Sequence, residues 1–226
     1  MKISTRANFR LLSLLGAAAF FVGANAFAAD HVAPGVSPDA ALAKLMAGNA
    51  RYSSGSVSHP RQAAGRRAEV AKGQKPFAIV VGCSDSRTSP ELVFDQGLGD
   101  VFVTRLAGSI VDDAALGSIE YAIEHFNSSV IVVLGHERCG AVEAAMKGGK
   151  APGKIGAVVK PIIPAVNAVK KSSTPTLDAA IDENARRTAA GLVGRSEILE
   201  GRVKAGTLKI VAARYDLDTG RVTLVK

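Results

Sequence analysis

The chain has 226 residues, 47% of them hydrophobic, which is enough to bury a full core in one domain. Its formal charge of +8 comes without aromatic interleaving or a nucleic-acid motif, the cluster Arg61, Arg66 and Arg67 included, so nucleic acid is excluded as the partner.

At the N-terminus, Lys2, Arg6 and Arg10 precede the apolar run from Leu11 to Val22, and small residues follow at Ala24, Ala26, Ala28 and Ala29. This pattern predicts a secretory signal peptide over residues 1–28, because the apolar run falls short of the roughly 20 residues that span a bilayer. A lipoprotein is excluded by the absence of cysteine there, and a twin-arginine signal by the isolation of Arg6. The expected mature chain, 29–226, is periplasmic or secreted and has no stable membrane span. Removing the signal leaves +5, read as a mild excess spread along the chain that serves solubility.

Ser37-Pro38-Asp39 predicts a helix start, with an N-cap, a proline in the first turn and an early acid. Ala41, Leu42, Leu45 and Met46 recur at helical spacing, and Gly48-Asn49 is read as the stop. A second, basic helix is expected over Arg61–Lys72. From Phe77 onward strands and helices alternate. Strands are expected at Phe77–Val81, Val101–Arg105, Val130–Leu134 and Leu208–Tyr215, and Arg221–Val225 returns antiparallel after the turn Asp216–Gly220. Helices are expected from Pro90, from Asp112-Asp113, from Gly140, over Ile155–Lys171 and over Leu177–Arg202. The order predicts one α/β domain, a mostly parallel sheet of about four strands plus an antiparallel C-terminal edge strand, with helices on both faces.

Reactive groups collect where two of the apolar strands end. Phe77–Val81 runs into Gly82-Cys83-Ser84-Asp85-Ser86-Arg87, and Val130–Leu134 runs into Gly135-His136-Glu137-Arg138-Cys139. Open α/β folds bind ligands at the carboxyl ends of their strands. Cys83, His136 and Cys139 then form a Cys₂His set, a zinc set that leaves one coordination position for catalysis. An exported chain with two cysteines also admits a disulfide, but the neighbours Asp85, Arg87 and His136 favour metal.

Cys-x-Asp-x-Arg followed by His-x-x-Cys resembles the β-class carbonic anhydrases. Gly48-Asn49-Ala50-Arg51-Tyr52, Arg105-Leu106-Ala107-Gly108-Ser109, Ser118–Ala122 and Tyr215–Gly220 resemble further stretches of that family. Leu106, Ser109, Thr88 and Glu137 depart from its usual pattern, and Glu137 adjoins a metal ligand.

The resemblance implies one Zn2+ per subunit on Cys83, His136 and Cys139, and reversible hydration of CO2 to bicarbonate. In the implied mechanism Asp85 orients zinc-bound hydroxide and Arg87 keeps Asp85 ionised and aimed. It also implies Gln74, Phe102, Ala107 and Tyr121 as substrate-lining positions, Phe102 reaching across a dimer interface, within a homodimer or larger homo-oligomer. Two alternatives are a hydrolase of the same fold acting on CS2 or COS, and a non-catalytic zinc- or thiol-binding protein. Some family members carry an inhibitory bicarbonate pocket with a Trp three residues before the first Cys. Here that position is Val80 and the chain has no Trp, so a site open at neutral pH is expected.

Overall fold

Val, Ile and Ala dominate the first buried strand, and in the computed structural model, which describes residues 35–173 and 175–226, it sits second in a five-stranded sheet. The expected signal peptide lies outside the described residues. The strands are β1 (Ala78–Gly82), β2 (Val101–Arg105), β3 (Val130–His136), β4 (Lys209–Tyr215) and β5 (Val222–Val225), in the order β2-β1-β3-β4-β5. β1 pairs in parallel with β2 and β3, β3 pairs in parallel with β4, and β5 runs antiparallel to β4. Every residue of β1 and β3 is buried, as apolar runs covered on both faces require.

Eight helices cover the sheet among the described residues: α1 (Pro38–Ser53), α2 (Ala64–Val70), α3 (Pro90–Val93), α4 (Asp113–Phe126), α5 (Gly140–Lys147), α6 (Ile155–Val169), α7 (Leu177–Val193) and α8 (Glu197–Lys204). Successive strand residues face opposite layers. Ile79, Val81, Ile131 and Val133 pack with Ile119, Ile123, Leu192 and Leu199 of α4, α7 and α8. Val80, Val132 and Leu134 pack on the other face with Leu42, Leu45 and Phe94. No described helix is long and apolar enough to cross a membrane.

Four boundaries differ from the sequence reading. α1 does not stop at Gly48-Asn49 but continues to Ser53. Gly48 is there for close approach, since a Cβ at that position would lie 1.8 Å from the Phe94 carbonyl oxygen. Asn49 is buried and donates to Val93 O and Gly220 O at 3.0 and 2.9 Å while accepting from Val222 N at 2.8 Å. α2 is shorter than expected because Arg61 takes φ +52° and pairs with Asp100 instead of continuing a helix. The stretch Leu177–Arg202 divides at Ser196, whose Oγ caps α8 by accepting from Leu199 N at 3.2 Å. Finally, β3 extends to His136, which pairs with Tyr215, so the register of the sheet positions this side chain.

Candidate metal centre

Gly82 of β1 lies beside Leu134 of β3 and Arg105 of β2, so three strands end at one edge. Cys83 is the first residue beyond β1, His136 is the last residue of β3, and Cys139 is the residue preceding α5. One ligand atom from each of the three lies within 4.8 Å of the others. All three residues are buried, beneath Ile110, Val142, Ile162 and Ile181, and both cysteines are free thiols.

The histidine is prepared for a cation. Its Nδ1 lies 2.8 Å from the Glu137 carbonyl oxygen, which can only accept, so Nδ1 carries the proton and Nε2 presents a lone pair. That Nε2 is buried and has no hydrogen-bond partner. A buried acceptor left unsatisfied is costly, and a metal ion at this point would satisfy it.

The thiols compete for one negative charge. Cys83 is pulled down by its contact with Cys139, then pushed up by burial, and pulled down again by the Gly108 N–H. Cys139 is pushed up by the same contact with Cys83 and by burial. A divalent cation would stabilise both thiolates at once, so the donor set fits zinc. The Gly108 N–H donates to Cys83 Sγ at 3.2 Å, from a backbone at φ +74°.

Asp85 and Arg87 form a two-pronged pair. Arg87 Nε donates to Oδ1 at 2.9 Å and Nη2 to Oδ2 at 2.7 Å, while the Arg87 backbone N–H donates to Oδ1 at 3.0 Å. These bonds, led by the Arg87 side chain, hold the Asp85 carboxyl well below the usual carboxylate range against partial burial. Asp85 Oδ2 stands 3.9 Å from His136 Nε2, so the ionised carboxylate flanks the ligand cluster.

Two supporting residues were not singled out from the sequence. Arg105 donates from Nε to Cys83 O at 2.8 Å and from Nη2 to Asp85 O at 2.6 Å, fixing the loop that carries both. Its only signal was its place in the Arg105–Ser109 stretch. Asn184 in α7 donates to Gly108 O at 2.8 Å, and nothing local marks it. Glu137 turns its carboxylate to the C-terminal turn, accepting from Leu217 N at 3.2 Å, and contacts the ligand histidine only through its backbone carbonyl.

Of the expected lining residues, only Ala107 belongs to a segment that reaches the cluster, the 3₁₀ turn Ala107–Ser109, whose Gly108 N–H meets Cys83. Gln74 precedes β1 and lines a surface cavity with Glu91, Gln96 and Val101, at the amino end of the sheet. Phe102 lies opposite Ile79 in β2 and packs on Phe126, ring centroids 6.2 Å apart. Tyr121 is exposed on α4 and stacks on His125 at 3.9 Å.

A Cys₂His donor set that could hold a metal ion, at the carboxyl edge of a doubly covered, mostly parallel sheet, is the arrangement of an α/β enzyme domain. The sequence profile of the family described as "Carbonic anhydrase" matches residues 78–222, and the chain belongs to that family, in its β class. Carbonic anhydrase 2 of Mycobacterium tuberculosis (strain CDC 1551 / Oshkosh) is 43% identical over 195 residues, covering 84% of this chain and 94% of the relative. Among solved structures, the β-carbonic anhydrase CafA of Aspergillus fumigatus superposes with a TM-score of 0.65 at 25% identity, covering 83% of this chain and 90% of that one. One of two tetrameric β-carbonic anhydrases from Sordaria macrospora shares the fold, with a TM-score of 0.62 at 24% identity over 70% of this chain and 85% of that one.

Proposed function

We propose that this carbonic anhydrase binds one Zn2+ on Cys83, His136 and Cys139 and hydrates CO2 reversibly to bicarbonate and a proton, with Asp85 and Arg87 as the orienting pair. The observation that supports this most is the buried, unpartnered Nε2 of His136, with Asp85 Oδ2 standing 3.9 Å away. Zinc bound there supplies Lewis acidity that brings the ionisation of water from pKa 15.7 toward about 7. Asp85, kept ionised by Arg87, accepts a hydrogen bond from the attacking oxygen and directs its lone pair toward CO2. Arg87 in turn holds Asp85 on two sides and from its own backbone, so the carboxylate does not rotate away. Arg105 and Gly108 keep the ligand loop in place.

Gln74, Phe102 and Tyr121 act as lining residues in this reading by coming from a neighbouring subunit. Supporting that, β2 is an edge strand, Leu98 and Tyr121 are exposed near it, and relatives from Sordaria are tetrameric. The active unit is therefore a homodimer or larger. The N-terminal 28 residues direct export, and the mature enzyme works outside the cytoplasm. Val80 is fully buried and offers no donor, so bicarbonate gains nothing at that position and Asp85 stays on Arg87 at neutral pH.

Asp85→Asn tests the proposal. The amide keeps the shape of the site but can donate as well as accept, so zinc content should remain at the wild-type level while CO2 hydration falls by about a hundredfold or more. Wild-type hydration in that variant would show the pair to be structural.

A further inference from the structure

The positive charge of this protein is not spread along the chain, as the composition suggested. Residues 35–226 carry a net +6, and all of it resides in the segment from Ala144 to Leu177, which contains six lysines and no acid. The rest of the described chain is balanced. All six lysines are exposed: Lys147 ends α5, Lys150 and Lys154 lie in the loop after it, Lys160 is on α6, and Lys170 and Lys171 follow the end of α6. The two ends of the segment meet, because Lys170 Nζ donates to Met146 O at 2.9 Å. Lys147 is paired with Glu143 at 2.6 Å, but Lys150, Lys154, Lys160 and Lys171 have no carboxylate partner among the described residues.

Apolar side chains share this surface. α6 buries Ile162, Ala165, Val166 and Val169 beneath it, yet Ile155 and Ile163 remain 52% and 40% exposed and Pro161 and Pro164 also face solvent. Cations on a helix and on the loops at its two ends, with apolar groups exposed along the same helix, suit a surface that lies in the interfacial layer of a bilayer. A second copy of the chain related by a two-fold axis would set six lysines against six. Nucleic acid is a poorer match, since the segment has no arginine fork and no aromatic ring for stacking, and it would leave the isoleucines unused.

We propose that the α5–α6 face, centred on Lys150, Lys154, Lys160 and Lys171, docks onto a bilayer surface rich in anionic phospholipid. α6 is also the roof of the metal centre, because its Ile162 packs in the cluster that holds Cys83 and Cys139. Docking through its outer face sets the enzyme against a bilayer that CO2 crosses and bicarbonate does not.

The test is co-sedimentation of the mature chain, residues 29–226, with vesicles, either equimolar phosphatidylcholine and phosphatidylglycerol or phosphatidylcholine alone. The quadruple variant Lys150→Gln, Lys154→Gln, Lys160→Gln, Lys171→Gln is compared with a charge-matched control, Lys204→Gln, Lys209→Gln, Arg221→Gln, Lys226→Gln. All of these proteins begin at residue 29, so the basic and apolar N-terminal stretch takes no part. Each surface lysine contributes about fivefold, so the quadruple variant should bind anionic vesicles roughly six-hundredfold more weakly, with the control near wild type. Binding of the wild type should also fall with added salt and be weak on neutral vesicles. Equal binding by the quadruple variant and the wild type would overturn the proposal. So would equal wild-type binding to neutral and anionic vesicles, or tighter binding to duplex DNA than to anionic vesicles. Where the quadruple variant folds poorly, the double variant Lys150→Gln, Lys154→Gln in the loop before α6 keeps the proposal testable: it should bind anionic vesicles roughly twenty-five-fold more weakly, and wild-type binding by it would overturn the proposal.

Discussion

Gly108→Ala is a sharp probe of how the fold builds the metal centre. Gly108 sits at φ +74°, ψ 14°, a left-handed conformation that costs an alanine about 1 kcal/mol or slightly more. Its new Cβ would lie 2.6 Å from Ile162 Cδ1 and 3.2 Å from Ala141 Cβ. Ile162 is fully buried, so either its side chain leaves its rotamer within a packed core or α6 moves, and overpacking of this kind costs about 1–3 kcal/mol. Together these predict a loss of about 2–4 kcal/mol, or roughly 5–15 °C in Tm for a domain of this size. The backbone must also shift, lengthening the 3.2 Å hydrogen bond from Gly108 N to Cys83 Sγ and the 2.8 Å bond that Gly108 O accepts from Asn184. Loss of the N–H donor raises the cost of the Cys83 thiolate, so zinc should leave faster. The assay is thermal unfolding together with zinc release to a chromogenic chelator. The control is Gly117→Ala on the exposed face of α4, where the added Cβ meets nothing within 4 Å and where helix propensity favours alanine by about 0.5–1 kcal/mol. If Gly108→Ala matched the wild type in both Tm and zinc release, the assigned roles of this turn would be wrong.

Asn49→Ala should destabilise the protein by about 2–4 kcal/mol in chemical denaturation, because it strands Val93 O, Gly220 O and Val222 N and unties α1 from the C-terminal hairpin. Asp95 governs part of the acid limb. Burial pushes its carboxyl up, but the N–H groups of Ser58 and His59, the Ser58 hydroxyl and Arg51 outweigh that and hold it at about 2. A depressed folded-state value means that the stabilisation, about 2 kcal/mol, is complete above about pH 4 and lost as pH falls toward 2. Asp95→Asn should therefore be less stable at pH 7 and lose less on acidification over that window, as read by urea midpoints at a series of pH values.

Much of the site is legible in the chain because its chemistry falls at strand ends. Cys83, Asp85, Arg87, His136 and Cys139 stand just beyond apolar runs whose burial in a parallel sheet is nearly forced, and the register then closes the cluster. Residues whose meaning is tertiary were harder to read. Gly48 looks locally like a helix stop, yet it is the point where α1 touches the Phe94 carbonyl. Ser196 interrupts an unbroken helical periodicity with a cap. Asn184 reaches Gly108 across 76 residues, a contact no local pattern announces. The lysine segment is a different case, since its charge distribution is plain in the sequence and a whole-chain sum conceals it.

The central claim is that Cys83, His136 and Cys139 hold a zinc ion on which CO2 hydration depends. Zinc content and stopped-flow CO2 hydration, measured on one preparation before and after removal and return of the metal, test it most directly. The account predicts one zinc per chain, hydration lost with the metal and regained in proportion as zinc is returned. Full hydration by the metal-free protein, or a stoichiometric Cys83–Cys139 disulfide in active protein, would contradict it.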